Sequence, residues 1–349
     1  MRDTLDGRLD LSRYLIDAHG FIPVPMIITE PALGGFGGLI APVFLKPKKV
    51  EGYDGYIPPD ITAALGMYTA NGSYGAGAFR SGSFPLQGIK YRLGFMYANL
   101  NLKFYRTFPI IGEKSFLFNF ESTPIFLSVS KKIHKLDVYL GLSYLYAKTK
   151  VKAKFTDALP PDVSLPELNS HVSTLGLFTE LDKRDNVFTP DKGFIAHLAY
   201  NVDASWTGSD YNYQRLNIPI NIFLLINKQW ISGFRFEMNQ VYDDPPFYLM
   251  PSINLRGIPA ARYQGKTTLV VETEQRFDLD GRWSVLGFAG YGKTISPDES
   301  LFESQDVYSV GTGFRYLLAR AFKVRTGIDV AWGPDSFGWY IVFGHNWNR

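Results

Sequence analysis

The chain has 349 residues, no cysteine, a formal net charge of +3 and a mean hydropathy of -0.07. The lack of cysteine excludes disulfides and thiolate metal sites, and the small net charge gives no basis for nucleic-acid binding. No run of eighteen apolar residues occurs, so no transmembrane helix is predicted. A mean hydropathy near zero also fits a membrane barrel, because its lipid-facing and lumen-facing residues cancel in the average.

Residues 1–20 precede the first predicted strand and form a short segment of their own. We predict a helix over residues 13–18 with Ser12 as its N-cap, and we expect the segment to tuck against the mouth of the following domain. The residues after Met1 are polar and acidic, without the apolar region of a signal peptide. Taken literally, this predicts a cytoplasmic protein. Because of the strand pattern that follows, we interpret Met1 as a start placed on a mature chain.

Residues 21–349 are predicted to form one domain built from strands and turns, with side chains alternating in a period of two. Leu216, Ile218 and Ile220, for example, alternate with Arg215, Asn217 and Asn221. The predicted strands cover 21–30, 36–46, 61–70, 74–83, 88–106, 115–131, 136–155, 170–185, 193–206, 211–226, 229–242, 267–279, 283–294, 306–318, 322–332 and 337–347.

The length of these strands and the chemistry of their two faces favour a membrane barrel over a soluble sandwich. Strands such as 88–106 exceed the usual length of about 5–6 residues in soluble sheets. One face is rich in aromatic residues and the other carries charge. Since an open edge would leave unpaired backbone groups in lipid, the sheet is expected to close. The predicted fold is therefore an all-β, sixteen-stranded antiparallel transmembrane β-barrel.

Two connections carry distinctive sequences. Residues 181–194, LDKRDNVFTPDKGF, form a predicted turn in which Pro190 and Gly193 bend the chain while Asp182, Arg184 and Asp185 pair across it. The long connection 243–266 contains Leu255, Arg256 and Gly257, followed by the sequence RYQG.

The strands after the long connection place charge on the predicted inner face. Glu272, Glu274 and Arg276 share one face of the strand that begins at Thr267, and Asp329 shares the inner face of a later strand with Arg325. In the last segment, Trp339, Ile341, Phe343 and Trp347 are predicted to share the lipid-facing side.

Taken in order, the LRG loop, the RYxG sequence, the ExRF strand, the D-x-RD-x₄-P-x₂-G turn and the aromatic final strand resemble the BamA/TamA superfamily of outer-membrane assembly and translocation barrels, the bacterial surface antigen family. The resemblance implies that the long connection 243–266 folds inward onto the inner wall of the barrel. It also implies that the tip residue Arg256 pairs there with acidic residues, here Glu274 and Asp329 with Glu272 beside them. Ile258 stands where the family usually has an aromatic residue. The chain would be a short member lacking POTRA domains.

The charged inner wall supports two interpretations, a docking surface for the Arg256 loop or the lining of a passive pore. A third interpretation is an enzyme, because His197, Asn201 and Asp203 would face inward on one strand. Neither HExxH nor GxSxG occurs, so no enzymatic activity, cofactor or metal is expected.

The resemblance implies insertion or translocation of proteins or lipids at the outer membrane of a Gram-negative bacterium. The alternative is a passive porin or small-solute channel. The expected partners are outer-membrane lipids and client outer-membrane proteins, with no nucleic acid.

Overall fold

A computed structural model describes residues 2–17, 21–46, 48, 51, 57, 59–108, 112–133, 136, 138–154, 168–295 and 304–347. The end of the predicted N-terminal helix, Ala18, lies outside these residues. The helix α1 begins at Ser12 itself and spans Ser12–Asp17. The Ser12 hydroxyl accepts the backbone N–H of Ala321 at 3.0 Å, so it ties the segment to the barrel. No helix in the described part of the chain is long and apolar enough to cross a membrane.

Sixteen strands form one antiparallel sheet in which each strand pairs with its neighbours in the sequence, as the alternation predicted. They are β1 (Phe21–Ile28), β2 (Gly37–Lys46), β3 (Asp60–Thr69), β4 (Tyr74–Phe84), β5 (Ile89–Phe108), β6 (Gly112–Ile133), β7 (Val138–Ala153), β8 (Leu168–Asp182), β9 (Gly193–Asp203), β10 (Tyr213–Leu225), β11 (Trp230–Asp243), β12 (Thr267–Asp278), β13 (Trp283–Ile295), β14 (Asp306–Ala319), β15 (Val324–Gly333) and β16 (Ser336–Phe343).

The outer face carries an apolar band between two aromatic belts, as expected of a membrane barrel. Exposed apolar residues such as Leu142 and Val271 occupy the band. The belt at the rim where odd-numbered strands lead into even-numbered strands consists of exposed tyrosines: Tyr68, Tyr74, Tyr97, Tyr144, Tyr200, Tyr242, Tyr291 and Tyr308. The belt at the opposite rim includes Phe84, Phe277, Trp283 and Phe343.

The sheet closes without a complete ladder, which differs from the expected closure. Among the described residues, backbone pairing runs from β1 to β16 in sequence order but does not join β16 back to β1. Pro23 and Pro25 provide part of the reason, because β1 loses two backbone donors there. The Thr29 hydroxyl donates a hydrogen bond to the carbonyl oxygen of Trp339 across this seam.

Candidate functional site

The connection between β11 and β12, hereafter the inner loop, folds into the barrel and packs on its inner wall. Its apolar residues Ile253, Leu255, Ile258 and Tyr263 form a buried cluster with Val270 of β12 and Val307 of β14. Near the start of the loop, Phe247 and Tyr248 pack on a hydrophobic cluster of β5, β6 and β7 that comprises Phe104, Phe120 and Val151. The inner loop is therefore held against both sides of the lumen, as its sequence predicted.

Gly257 lets the tip of the inner loop approach β15 and β16 closely. Its φ of +84° lies in the left-handed region, and a Cβ there would lie 3.0 Å from the backbone of Ala331. Its N–H donates to the Tyr340 hydroxyl at 2.7 Å, and its carbonyl oxygen accepts from the Ser336 hydroxyl at 2.6 Å. Any larger residue at this position would push the tip off the wall.

Ile258, next to the glycine at the loop tip, packs against a glycine of the barrel wall. Ile258 is buried, and its Cδ1 occupies the space above Gly333, where a Cβ would come within 2.3 Å. The glycine on the wall and the aliphatic side chain on the loop are therefore complementary.

Arg256 lies at the centre of a buried charge cluster, only 2% exposed. Its Nη2 donates to Glu272 Oε1 at 2.7 Å, and its Nη1 donates to Asp329 Oδ2 at 2.7 Å. Nη1 also lies 2.7 Å from Glu274 Oε2, a charge contact without the direction of a hydrogen bond. The guanidinium carbon stacks 3.4 Å from the centre of the Phe288 ring. All three acidic residues expected from the resemblance thus meet the tip arginine.

Further cations on neighbouring strands balance the three carboxylates. Arg235 of β11 donates to Glu272 at 3.0 Å, and Arg315 of β14 donates to Asp329 at 3.0 Å. Buried charges are tolerated when they are paired and hydrogen-bonded, and removing one partner is then costly. The cluster joins strands from β11 to β15 through one loop side chain.

The end of the chain turns into the lumen, which corrects the predicted position of Trp347. β16 ends at Phe343, and Gly344 has a φ of +76° that redirects the chain. Trp347 is buried and donates to Glu272 at 2.8 Å, while His345 Nε2 lies 3.2 Å from Glu274. A positive φ at the glycine breaks the alternation from which a lipid-facing position was inferred.

In the turn between β8 and β9, Arg184 pairs with the nearby Asp182, and Asp185 bonds to the backbone across the turn. Arg184 Nη2 donates to Asp182 at 2.8 Å, and Asp185 accepts the N–H of Asp191 at 2.9 Å. Pro190 is fully buried, and a Cβ on Gly193, whose φ is +102°, would lie 2.1 Å from the Lys183 carbonyl oxygen. The same turn reaches β15, because Lys323 donates to Asp185 at 2.9 Å.

A second charge cluster, which the sequence did not predict, fixes the N-terminal segment to this rim. Arg282, in the turn between β12 and β13, is 0% exposed and donates to Asp6 at 2.7 Å, to Asp10 at 2.6 Å and also to Asp3. The segment therefore lies against the mouth, as expected, and we call this contact the N-terminal clasp.

The clasp changes the acidity of two of its carboxyl groups. The hydrogen bond from Arg282 lowers the pKa of Asp6 to about 2. Burial raises the pKa of Asp10, but hydrogen bonds from Ser12 and Arg282 outweigh it and bring it to about 2. The spacing of Asp3, Asp6 and Asp10 is the sequence signal for this cluster, although nothing local identifies Arg282 as the partner.

The three residues considered for catalysis, His197, Asn201 and Asp203, do not form a hydrogen-bonded site among the described residues. Asp203 accepts from the Thr174 hydroxyl at 2.8 Å, and His197 stands opposite Glu180 on β8 and packs on Phe178. No hydrogen bond links His197 to Asn201 or Asp203 among the described residues, nor do those residues contain a group of side chains suited to a metal ion.

No protein-family model and no curated protein matches the chain. Its structure is similar to that of BamA from Haemophilus ducreyi lacking POTRA domains 1–3, with a TM-score of 0.62 at 11% identity over 93% of this chain and 69% of that one. It is also similar to CdiB from Escherichia coli, with a TM-score of 0.66 at 9% identity over 91% of this chain and 61% of that one. For CdiB from Acinetobacter baumannii the TM-score is 0.59 at 10% identity, over 93% of this chain and 59% of that one. The chain therefore has the sixteen-stranded barrel fold of BamA and CdiB.

Proposed function

We propose that this barrel inserts or translocates proteins or lipids at the outer membrane by opening the seam between β1 and β16. The observation that carries the proposal is the seam itself, which lacks a backbone ladder among the described residues. A barrel that serves only as a pore gains nothing from an unpaired edge, whereas unpaired backbone groups can accept an incoming strand.

The inner loop contacts both edges of the seam, which supports a role for the loop in controlling it. On the β16 side the tip is bonded to Tyr340 and Ser336. On the β1 side the N–H of Ala260 donates to Glu30 at 3.0 Å. A cavity of about 550 Å³ lies between, lined by residues that include Ile28, Ile341 and Asn254. Opening the seam would therefore break the attachment of the loop to at least one of the two edges.

Cross-linking the seam tests the proposal. The chain has no cysteine, so Thr29→Cys with Trp339→Cys can be joined by a short bismaleimide without competing reactions. We expect the cross-link to abolish both acceleration of client-barrel folding and lipid movement in liposomes. The control joins Trp339→Cys to Val330→Cys, its partner in the intact β15–β16 ladder, and should retain activity.

Full activity with the seam cross-linked would refute seam opening. The passive-pore alternative predicts instead a steady conductance in planar bilayers, insensitive to the cross-link, together with no effect on client folding or lipid movement.

A further inference from the structure

The outer face of β7 carries a series of lysines beyond its lipid-facing residues. Leu142 and Tyr144 face lipid, and the same side of the strand continues with Lys148, Lys150 and Lys152, all exposed. Lys154 follows at the same two-residue spacing and is exposed as well. Between them, Thr149 and Val151 are buried on the lumen side. We call the four residues the lysine column.

A neighbouring strand adds a further positive charge near the lysine column, and no described carboxylate forms an ion pair with it. Exposed Lys103 of β5 pairs with Leu117 of β6, whose carbonyl oxygen accepts the N–H of Lys154 at 2.8 Å. Glu121 stands opposite Lys150 in the β6–β7 ladder, yet no ion pair to any of these lysines forms within the described part of the chain. Like charges arranged this closely repel each other unless an anion lies between them.

The column begins at the level where the membrane interface is expected. Lys148 pairs with Thr123 and lies four residues beyond Tyr144 of the tyrosine belt, with Tyr146, the partner of Ile125, between them on the same face. Aromatic belts mark the boundary between the hydrocarbon and the headgroups. The lysines thus begin about 10 Å above Tyr144, at the outer edge of the headgroup layer, and continue into the space above it.

The length of the column along the membrane normal indicates which kind of lipid headgroup can contact all four lysines. Six residues of strand from Lys148 to Lys154 span about 20 Å, or about 15 Å along the membrane normal after strand tilt. The headgroup layer of a glycerophospholipid is only about 5–7 Å thick on each side. A headgroup with phosphates at more than one level is needed to contact the whole column.

We infer that the lysine column binds the phosphate groups of a phosphorylated glycolipid in the outer leaflet. Ammonium groups bind phosphate as point charges and do not need a rigid pocket. The inference rests on the proposed outer-membrane placement of the barrel, with the rim that carries the long β11–β12 connection facing outward because the turns on the periplasmic side of such barrels are short, but it does not depend on seam opening. It gives the barrel a fixed lipid contact on β5–β7, far along the sheet from the seam.

A binding comparison tests the inference with purified lipopolysaccharide, the same glycolipid after removal of its phosphates, and phosphatidylglycerol. The column variant carries Lys148→Gln, Lys150→Gln and Lys152→Gln. The control variant removes three exposed lysines at the opposite rim with Lys131→Gln, Lys192→Gln and Lys228→Gln. Each lysine near a charged headgroup contributes about five-fold in affinity, so the column variant should bind lipopolysaccharide on the order of 100-fold more weakly, and the control variant should bind it normally.

Several results would overturn the inference: equal loss in both variants, equal binding of the dephosphorylated glycolipid, or an equal loss of phosphatidylglycerol binding. Heat-modifiable mobility on SDS gels confirms that each variant is folded. Placement is checked separately by labelling Lys152→Cys from outside intact cells with an impermeant maleimide. If Lys152→Cys is labelled but lipopolysaccharide binding is unchanged, the role of the lysine column is contradicted and the placement of the barrel stands. If only Lys131→Cys is labelled, the placement of the barrel is contradicted.

Discussion

Replacing Arg256 by alanine should release the tip of the inner loop. The substitution leaves Glu272, Glu274 and Asp329 facing one another with one cation removed from their centre. The side chains of these three residues are between 0% and 5% exposed, so water cannot readily replace the guanidinium. The change thus removes one partner of a buried ion pair, which costs far more than removing both.

The expected magnitude follows from burial and from what remains in place. Breaking a buried pair from one side costs about 3–5 kcal/mol. Arg235 and Arg315 still neutralise two of the carboxylates, which favours the lower end of that range. At about 1.4 kcal/mol per factor of ten, a cost of about 3 kcal/mol raises the open fraction of the tip on the order of 100-fold. The apolar cluster around Ile253 should keep the rest of the loop seated.

Cysteine labelling measures this opening directly. Ile258→Cys introduces a single buried thiol beside Arg256, and its rate of maleimide labelling follows the open population when reclosing is fast. The matched control is Arg262→Ala in the same loop, whose ion pair with Glu113 at 3.0 Å is partly exposed. Such a pair contributes about 0–1 kcal/mol, so labelling should rise less than about five-fold.

Equal labelling of the Arg256→Ala and Arg262→Ala backgrounds would show that the charge cluster does not hold the tip. Arg256→Lys should lie between the parent and Arg256→Ala, because an ammonium cannot reach three carboxylates in the geometry of a guanidinium fork.

Three further predictions concern the N-terminal clasp and the loop tip. Arg282→Gln should free the N-terminal clasp, detected as faster proteolytic cleavage within residues 2–17, while Arg8→Gln at the exposed Asp280 pair should have little effect. The clasp should also depend on pH, because the pKa values of Asp6 and Asp10 are lowered from 3.8 to about 2. The stabilisation from these two carboxylates is present above pH 3.8 and disappears as the pH falls towards 2. An intact clasp below about pH 2 would contradict this prediction. Gly257→Ala should raise Ile258→Cys labelling, since a Cβ there meets Ala331 at 3.0 Å, whereas Gly281→Ala, where a Cβ meets nothing, should not.

The strands and the inner wall could be predicted because a period of two is a local property of the sequence. In β12 the alternation alone places Glu272 and Glu274 on the inner side and Val271 outside, and the structure agrees. The number of strands followed from the same pattern. The meeting of Arg256 with Asp329, 73 residues away, came instead from the resemblance, because spacing alone cannot specify a contact between a loop and a distant strand.

The sequence failed where a single backbone angle or a distant charge decides the structure. Gly344 looks like any other strand residue, yet its positive φ turns His345 and Trp347 into the lumen. Arg282 looks like an exposed turn residue, yet three aspartates more than 270 positions earlier bury it completely. Both outcomes depend on which rim elements lie close together, and that is fixed only once the barrel is formed.

The contacts of the inner loop indicate which edge of the seam moves when it opens. The loop is attached to the β16 side by two hydrogen bonds of its tip and by the Arg256 cluster on β12 and β15. On the β1 side, among the described residues, the comparable attachment is the single bond from Ala260 to Glu30, worth about 1–2 kcal/mol. If the seam opens as proposed, we expect the weaker attachment to break first, so that β1 with its prolines separates while β16 stays with the loop. The Arg256 cluster would then remain intact during opening and fix the edge against which β1 recloses.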